Sequence, residues 1–317
     1  MRYTGIHTQQ VRNNTLSIIL LCLFPCLVVA LAFLFSWLMV FMSYDRQEGR
    51  NIWPEVVSFA QICIPWILGG VLLWFVIAYF VNTAIIGKAT GSRPLQRREN
   101  MRVYNLVENL CMANGMKMPK INIIEDSSLN AFACGINNRT YTISLSRGII
   151  RKLDNEELEG VIAHELSHIR HRDVRLLIVS IVFVGIFAMI ASLSFRILGR
   201  ISRSSRNKGG LVIFILAVLI VALVGYFFST LMRFTISRKR EYLADAAAAE
   251  MTHRPKALAG ALRKISNDPD IEAVKCDDIA QLFIEHPRKR TMLFSSLRSL
   301  FATHPPIEKR IAVLEQF

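Results

Sequence analysis

Residues 154–172 read Asp-Asn-Glu-Glu-Leu-Glu-Gly-Val-Ile-Ala-His-Glu-Leu-Ser-His-Ile-Arg-His-Arg. Asp154 followed by Glu157 has the form of a capping box, and an acidic first turn suits the positive end of a helix dipole. Leu158, Ile162, Leu166 and Ile169 recur at helical spacing and mark the buried face. His164 and His168 stand one turn apart on another face, where two imidazoles can reach one metal ion. Glu165 is rotated by about 100° from His164 around the axis, beside such an ion rather than on it, and so placed to take a proton from a bound water. This is the H-E-x-x-H arrangement of metal-assisted peptide hydrolysis. An extended version of the motif would need Gly at position 171 and His at 174; the chain has His171 and Val174. His171 is therefore expected at the surface or at headgroup level, off the metal.

A catalytic site of this kind takes three protein ligands plus water. The third is sought in residues 237–247, Ser-Arg-Lys-Arg-Glu-Tyr-Leu-Ala-Asp-Ala-Ala, a run of good helix formers. Glu241 and Asp245 share a face there. That spacing lets one carboxylate sit on the metal while a second accepts the outer N–H of a ligating histidine. Glu250 is a weaker ligand candidate, with no partner carboxylate one turn beyond it.

Between the two motifs, and ahead of the first, the chain is apolar. It has 317 residues, 52% of them hydrophobic, and 38 Lys+Arg against 24 Asp+Glu; the mean hydropathy is +0.36. Four uncharged blocks account for this, at Leu16–Met42, Val56–Ile86, Leu176–Phe195 and Leu211–Thr230. Each reaches the roughly 20 residues needed to cross a bilayer core. Disordered, fibrous and disulfide-scaffold classes are excluded, the last because the six cysteines are few and three lie within apolar runs. The first block continues well beyond any signal-peptide cleavage point and reads as a retained anchor. Pro65, Gly69 and Gly70 predict a kink or a late start near Cys63 in the second. His164 and His168 precede the third block and Glu241 follows the fourth, so two crossings would return all three ligands to one side of the membrane.

The net charge of +14 fits contact with anionic lipid, and no basic stretch is interleaved with stacking aromatics as in a nucleic-acid module. Five Lys/Arg lie between Lys88 and Arg102 against two in Ser43–Glu55, which orients the polar part towards the cytoplasm. The basic loop Ile197–Gly210 conflicts with that orientation. Within the polar segments, Asn105–Asn114 reads as a helix ended by Gly115, and the alternation in Lys120–Asp126 and Tyr141–Leu145 predicts a small sheet. The expected organisation is a membrane region at 1–87 with two transmembrane helices, a first catalytic part at 88–175, a hydrophobic hairpin at 176–232 and a second catalytic part at 233–317.

The hairpin inserted between His-Glu-x-x-His and Arg-Glu-Tyr-x-Ala-Asp resembles the membrane-bound peptidase family M48, most closely its HtpX-like branch. Asn130-Ala131-Phe132-Ala133, residues 157–163 and residues 303–311 add to the match. The resemblance implies a predominantly α membrane protein with four hydrophobic helices and a zincin-like α+β catalytic domain, a small sheet plus active-site helices. It implies one Zn2+ per chain held by His164, His168 and Glu241, with Glu165 catalytic. It further implies that His304 contacts substrate or transition state, that Asp245 and Arg310 support the ligands, and that residues 130–133 form a substrate-binding edge strand. Polypeptide substrates, in particular misfolded or membrane proteins, are implied, together with a multi-pass location in the inner membrane if the source is bacterial. A CAAX-type protease of the same family and a non-catalytic metal-binding membrane protein are the alternatives.

Overall fold

The computed structural model describes residues 6–43, 51–201, 209–234, 239–266 and 306–317. In chain order the elements are α1 (Ile6–Ser43), α2 (Trp53–Thr90), β1 (Ser92–Pro94), α3 (Met101–Ala113), β2 (Lys120–Ile124), β3 (Ala131–Cys134) and β4 (Thr142–Ser146). They continue as α4 (Arg147–Lys152), α5 (Asn155–Arg170), α6 (Asp173–Ile201), α7 (Gly209–Phe234), α8 (Lys239–Thr252), α9 (Pro255–Ile265) and α10 (Ile307–Leu314). The architecture is mostly helical with one small mixed sheet, as the sequence predicts. The chain divides into two compact units, one of residues 16–80 and 179–233, the other of residues 1–15, 81–178 and 234–317.

The first unit is built from apolar helices. Four stretches are long and apolar enough to cross a membrane: Cys22–Met42, Trp53–Ile77, Val182–Arg200 and Gly209–Thr230. Large side chains point outward, Trp66 being 81% exposed, which is costly in water and natural in lipid. Inside, Phe24 stacks on Phe183 with ring centroids 3.9 Å apart, and Phe75 and Phe187 close around the pair. Gly225 allows α7 to approach α6, since a Cβ there would stand 2.5 Å from the Phe187 ring. The late start predicted for the second block is not found: α2 runs unbroken through Pro65. A proline forfeits one backbone bond, here to the Gln61 carbonyl, and a lipid-facing helix tolerates that loss.

In the other unit the sheet order is β1-β2-β4-β3, with β4 parallel to β2 and antiparallel to β3, and β1 antiparallel to β2. The alternation read from the sequence places Ile121, Ile123, Ile143 and Leu145 in the core. Thr142 and Ser144 on the opposite face are buried too, because β4 is central. Helix α3 begins four residues before the predicted Asn105, since the Asn100 side chain accepts the Val103 N–H and caps it earlier. It ends as predicted, with Gly115 left-handed at φ +62°. β1 was invisible as a strand, being three residues of polar sequence that only pairing with β2 organises. Helices α8 and α9 pack on α5, and α10 packs on α9 and α8.

Candidate active site

The capping box at Asp154 and Glu157 forms as read, each side chain accepting from the other's backbone N–H at 2.9–3.0 Å. The cap aligns α5, and the predicted face Leu158, Ile162, Leu166 and Ile169 is buried. Eleven of the sixteen residues of α5 are buried, including His164 and Glu165. This is a central helix covered on most sides, so its polar residues must find partners within the protein.

The two imidazoles face each other with their Nε2 atoms 3.2 Å apart. Each Nδ1 meets a carboxylate: His164 Nδ1 lies 3.0 Å from Asp245 Oδ1, and His168 Nδ1 lies 3.1 Å from Asp173 Oδ2. A proton on each Nδ1 satisfies those bonds and leaves both Nε2 lone pairs directed at one point. The Glu241 carboxylate closes the triangle, 3.7 Å from each Nε2. Ligand atoms of His164, His168 and Glu241 all lie within 4.8 Å of one another. Nitrogens about 2.0 Å from a tetrahedral ion would stand about 3.3 Å apart, close to the observed separation. With both protons on Nδ1, two lone pairs face each other at that distance, and a cation between them relieves their repulsion. The donor set therefore fits a metal.

Electrostatics point the same way. Burial would lower the pKa of His164, yet the Asp245 and Glu241 carboxylates outweigh it and raise it to about 9. The same two carboxylates would favour a cation bound beside His164. Glu165 is raised above the ordinary carboxylate value by burial, opposed by the neighbouring histidines and by a hydrogen bond from the Ala133 N–H. Arg310 donates to Asp245 through Nε at 2.8 Å and Nη2 at 2.7 Å, and its Nη1 lies 3.4 Å from Glu241. It is 1% exposed, a buried cation whose charge is answered by the carboxylates around it.

The structure thus brings together His164, Glu165, His168, Glu241, Asp245 and Arg310. His304 lies outside the described residues. Asn130 and the β3 residues Ala131, Phe132 and Ala133 flank Glu165 at the sheet edge, and all four are buried. Ala131 donates to the Asn130 Oδ1 at 2.8 Å, while Ala133 donates to Glu165. Glu250 is exposed and outside the ligand group. His171 corrects an expectation: it is 1% exposed, not at the surface. It caps the end of α5, where its N–H bonds to the Ser167 carbonyl, and the left-handed Arg172 (φ 60°) folds it inward. Asp173 was missed altogether. On an uninterrupted helix a residue five positions after His168 would face about 140° away from it.

Residues 97–317 match the model of peptidase family M48. The chain is 62% identical to a protein named Protease HtpX homolog from Bacteroides fragilis, with both chains covered in full. It is 39% identical to the Dictyoglomus thermophilum protein of the same name, over 76% of this chain and 80% of that one. For the Streptococcus gordonii relative the identity is 33%, over 78% and 86%. Among solved structures it is similar to the crystal structure of S. mikatae Ste24p, at a TM-score of 0.44 and 20% identity, covering 88% of this chain and 61% of that one.

Proposed function

The chain belongs to peptidase family M48, in its HtpX-like branch, and from that premise we propose that it is a membrane-integrated, zinc-dependent endopeptidase with Glu165 as general base. The observation that carries this reading is the convergence of His164 Nε2, His168 Nε2 and the Glu241 carboxylate beside a buried Glu165. His164, His168 and Glu241 would hold one ion per chain. When bound, zinc supplies Lewis acidity, lowering the pKa of a water and polarising the scissile carbonyl. Glu165, on the same helix and rotated from the ligands, takes the attacking water's proton on its carboxylate and delivers it to the leaving amine. Asp245 holds the Nδ1 proton of His164, and Arg310 holds Asp245. His304 would contact the substrate or the developing oxyanion. A peptide strand would lie along Asn130–Ala133, replacing Glu165 as the partner of the Ala133 N–H.

Strand addition reads main chain more than side chain, which suits varied substrates and supports a role in the turnover of misfolded and membrane proteins. We assign residues 88–175 and 233–317 to the catalytic domain and 1–87 and 176–232 to the membrane region. The basic run from Lys88 supports a cytoplasmic catalytic domain; reporter fusions after Gly209 and after Phe317 test this. The reading as a whole is tested by metal analysis and casein cleavage of purified protein, with and without chelator. Glu165→Gln should keep metal and lose hydrolysis, while Glu241→Ala should lose metal. Hydrolysis by metal-replete Glu165→Gln protein overturns the base assignment.

A further inference from the structure

His164 owes its orientation to a carboxylate that the spacing on α8 foretells. His168 has a carboxylate of its own, from a place that no motif marks. Asp173 is the first residue of α6, 3% exposed, with Oδ2 3.1 Å from His168 Nδ1. It faces His168 because the chain breaks helical register between them: α5 ends at Arg170 with His171 as its cap, Arg172 turns left-handed, and α6 starts afresh. The other oxygen, Oδ1, lies 3.4 Å from Nε of Arg240. Arg240 directly precedes Glu241 on α8, so its backbone moves with the third ligand. We infer that Asp173 and Arg240 form a latch between the ligand helices, positioning residues that lock His168 Nε2 and Glu241 onto the same point and thereby set the affinity for the metal.

The competing explanation is a purely structural ion pair tying α8 to the start of α6. The geometry argues against it. At 3.4 Å the pair is looser than the bidentate Arg310–Asp245 contact, and Arg240 Nη1 is buried without a hydrogen-bond partner among the described residues. A buried ion pair is by itself weak evidence of a purely stabilising role. A carboxylate that fixes a ligand's tautomer does matter to metal binding, and its removal weakens affinity by about 10- to 100-fold.

This inference rests on the metal-site reading above, and the experiment separates the two. Full-length protein in detergent is titrated with Zn2+ against a competing chelator. Its Co2+ form is examined by visible absorption, and the metal-free form is melted. A parent protein that binds neither ion refutes the metal site itself. If it binds them, Asp173→Asn should weaken Zn2+ affinity about 10- to 100-fold and alter the Co2+ spectrum, whatever the shift in metal-free melting. Arg240→Gln should act in the same direction by about tenfold, and the double variant should be no weaker than Asp173→Asn alone. Asp173→Asn binding within twofold of the parent, a fall in metal-free melting with affinity intact, or losses that multiply in the double variant would each overturn the latch. Should Asp173→Asn not fold, Arg240→Lys reads the same quantity. It keeps charge and bulk but loses the planar fork, so affinity should drop at least threefold, and a smaller drop overturns the proposal.

Discussion

The two units bury polar groups in opposite ways. In the unit of residues 16–80 and 179–233, the buried polar side chains among the described residues are Ser36, Ser194 and Ser229. Ser36 and Ser194 donate to carbonyls of their own helix, at 2.8 and 2.9 Å, and ask nothing of a neighbour. In the other unit His164, Glu165, Asp173, Glu241, Asp245 and Arg310 are all buried, and each is matched by groups from other elements. A helix in lipid satisfies itself, because no solvent will do it. A cluster of buried ions is expensive to assemble and holds together only by mutual pairing, so its location marks the chemistry.

The contrast can be broken at several points. Removing the proposed proton acceptor should have the largest effect: Glu165→Gln should cut peptide hydrolysis about 10^2- to 10^4-fold in a cleavage assay, with bound metal unchanged. Next comes Arg310→Met, which strands Asp245 and Glu241 as buried anions. It should cost about 3–5 kcal/mol in denaturant unfolding, and a cost under about 1 kcal/mol would mean that the cluster is not paired as described. In the apolar unit, Gly225→Ala forces a methyl into the Phe187 ring and should cost about 1–3 kcal/mol by overpacking. Ser36→Ala, by contrast, should stay within about 0.5 kcal/mol, since its hydroxyl bonds only to its own helix.

The smallest expected effect lies on the surface. Arg147, with Arg93, lowers the Glu125 pKa from 4.5 to about 2. Because the folded value lies below the unfolded one, the stabilisation is full above pH 4.5 and fades as pH falls towards about 2. The group is 45% exposed, so solvent screening leaves at most about 1 kcal/mol, and Glu125→Gln should flatten the acid limb of the stability profile by no more than that.

Much of the site was legible because its signals are local. A capping box, an apolar stripe at Leu158, Ile162, Leu166 and Ile169, and pairs spaced by one turn all follow from helical period alone. The four apolar stretches were legible for a similar reason, since length and absence of charge suffice. Illegible were β1, which only its neighbour makes a strand, and the inward turn of His171. So was Asp173, whose approach to His168 depends on one left-handed residue that no propensity scale would assign to Arg172.

From the order of residues alone came a helix bearing two histidines and a glutamate, a second helix bearing Glu241 and Asp245, and the apolar blocks between them. Those are properties of period and composition, which each segment carries by itself. Tertiary structure alone decided that Arg310 would neutralise Asp245 from the far end of the chain and that Asp173 would steady His168. Charges buried together are stable only as a set, and the set exists only once distant segments have folded against one another.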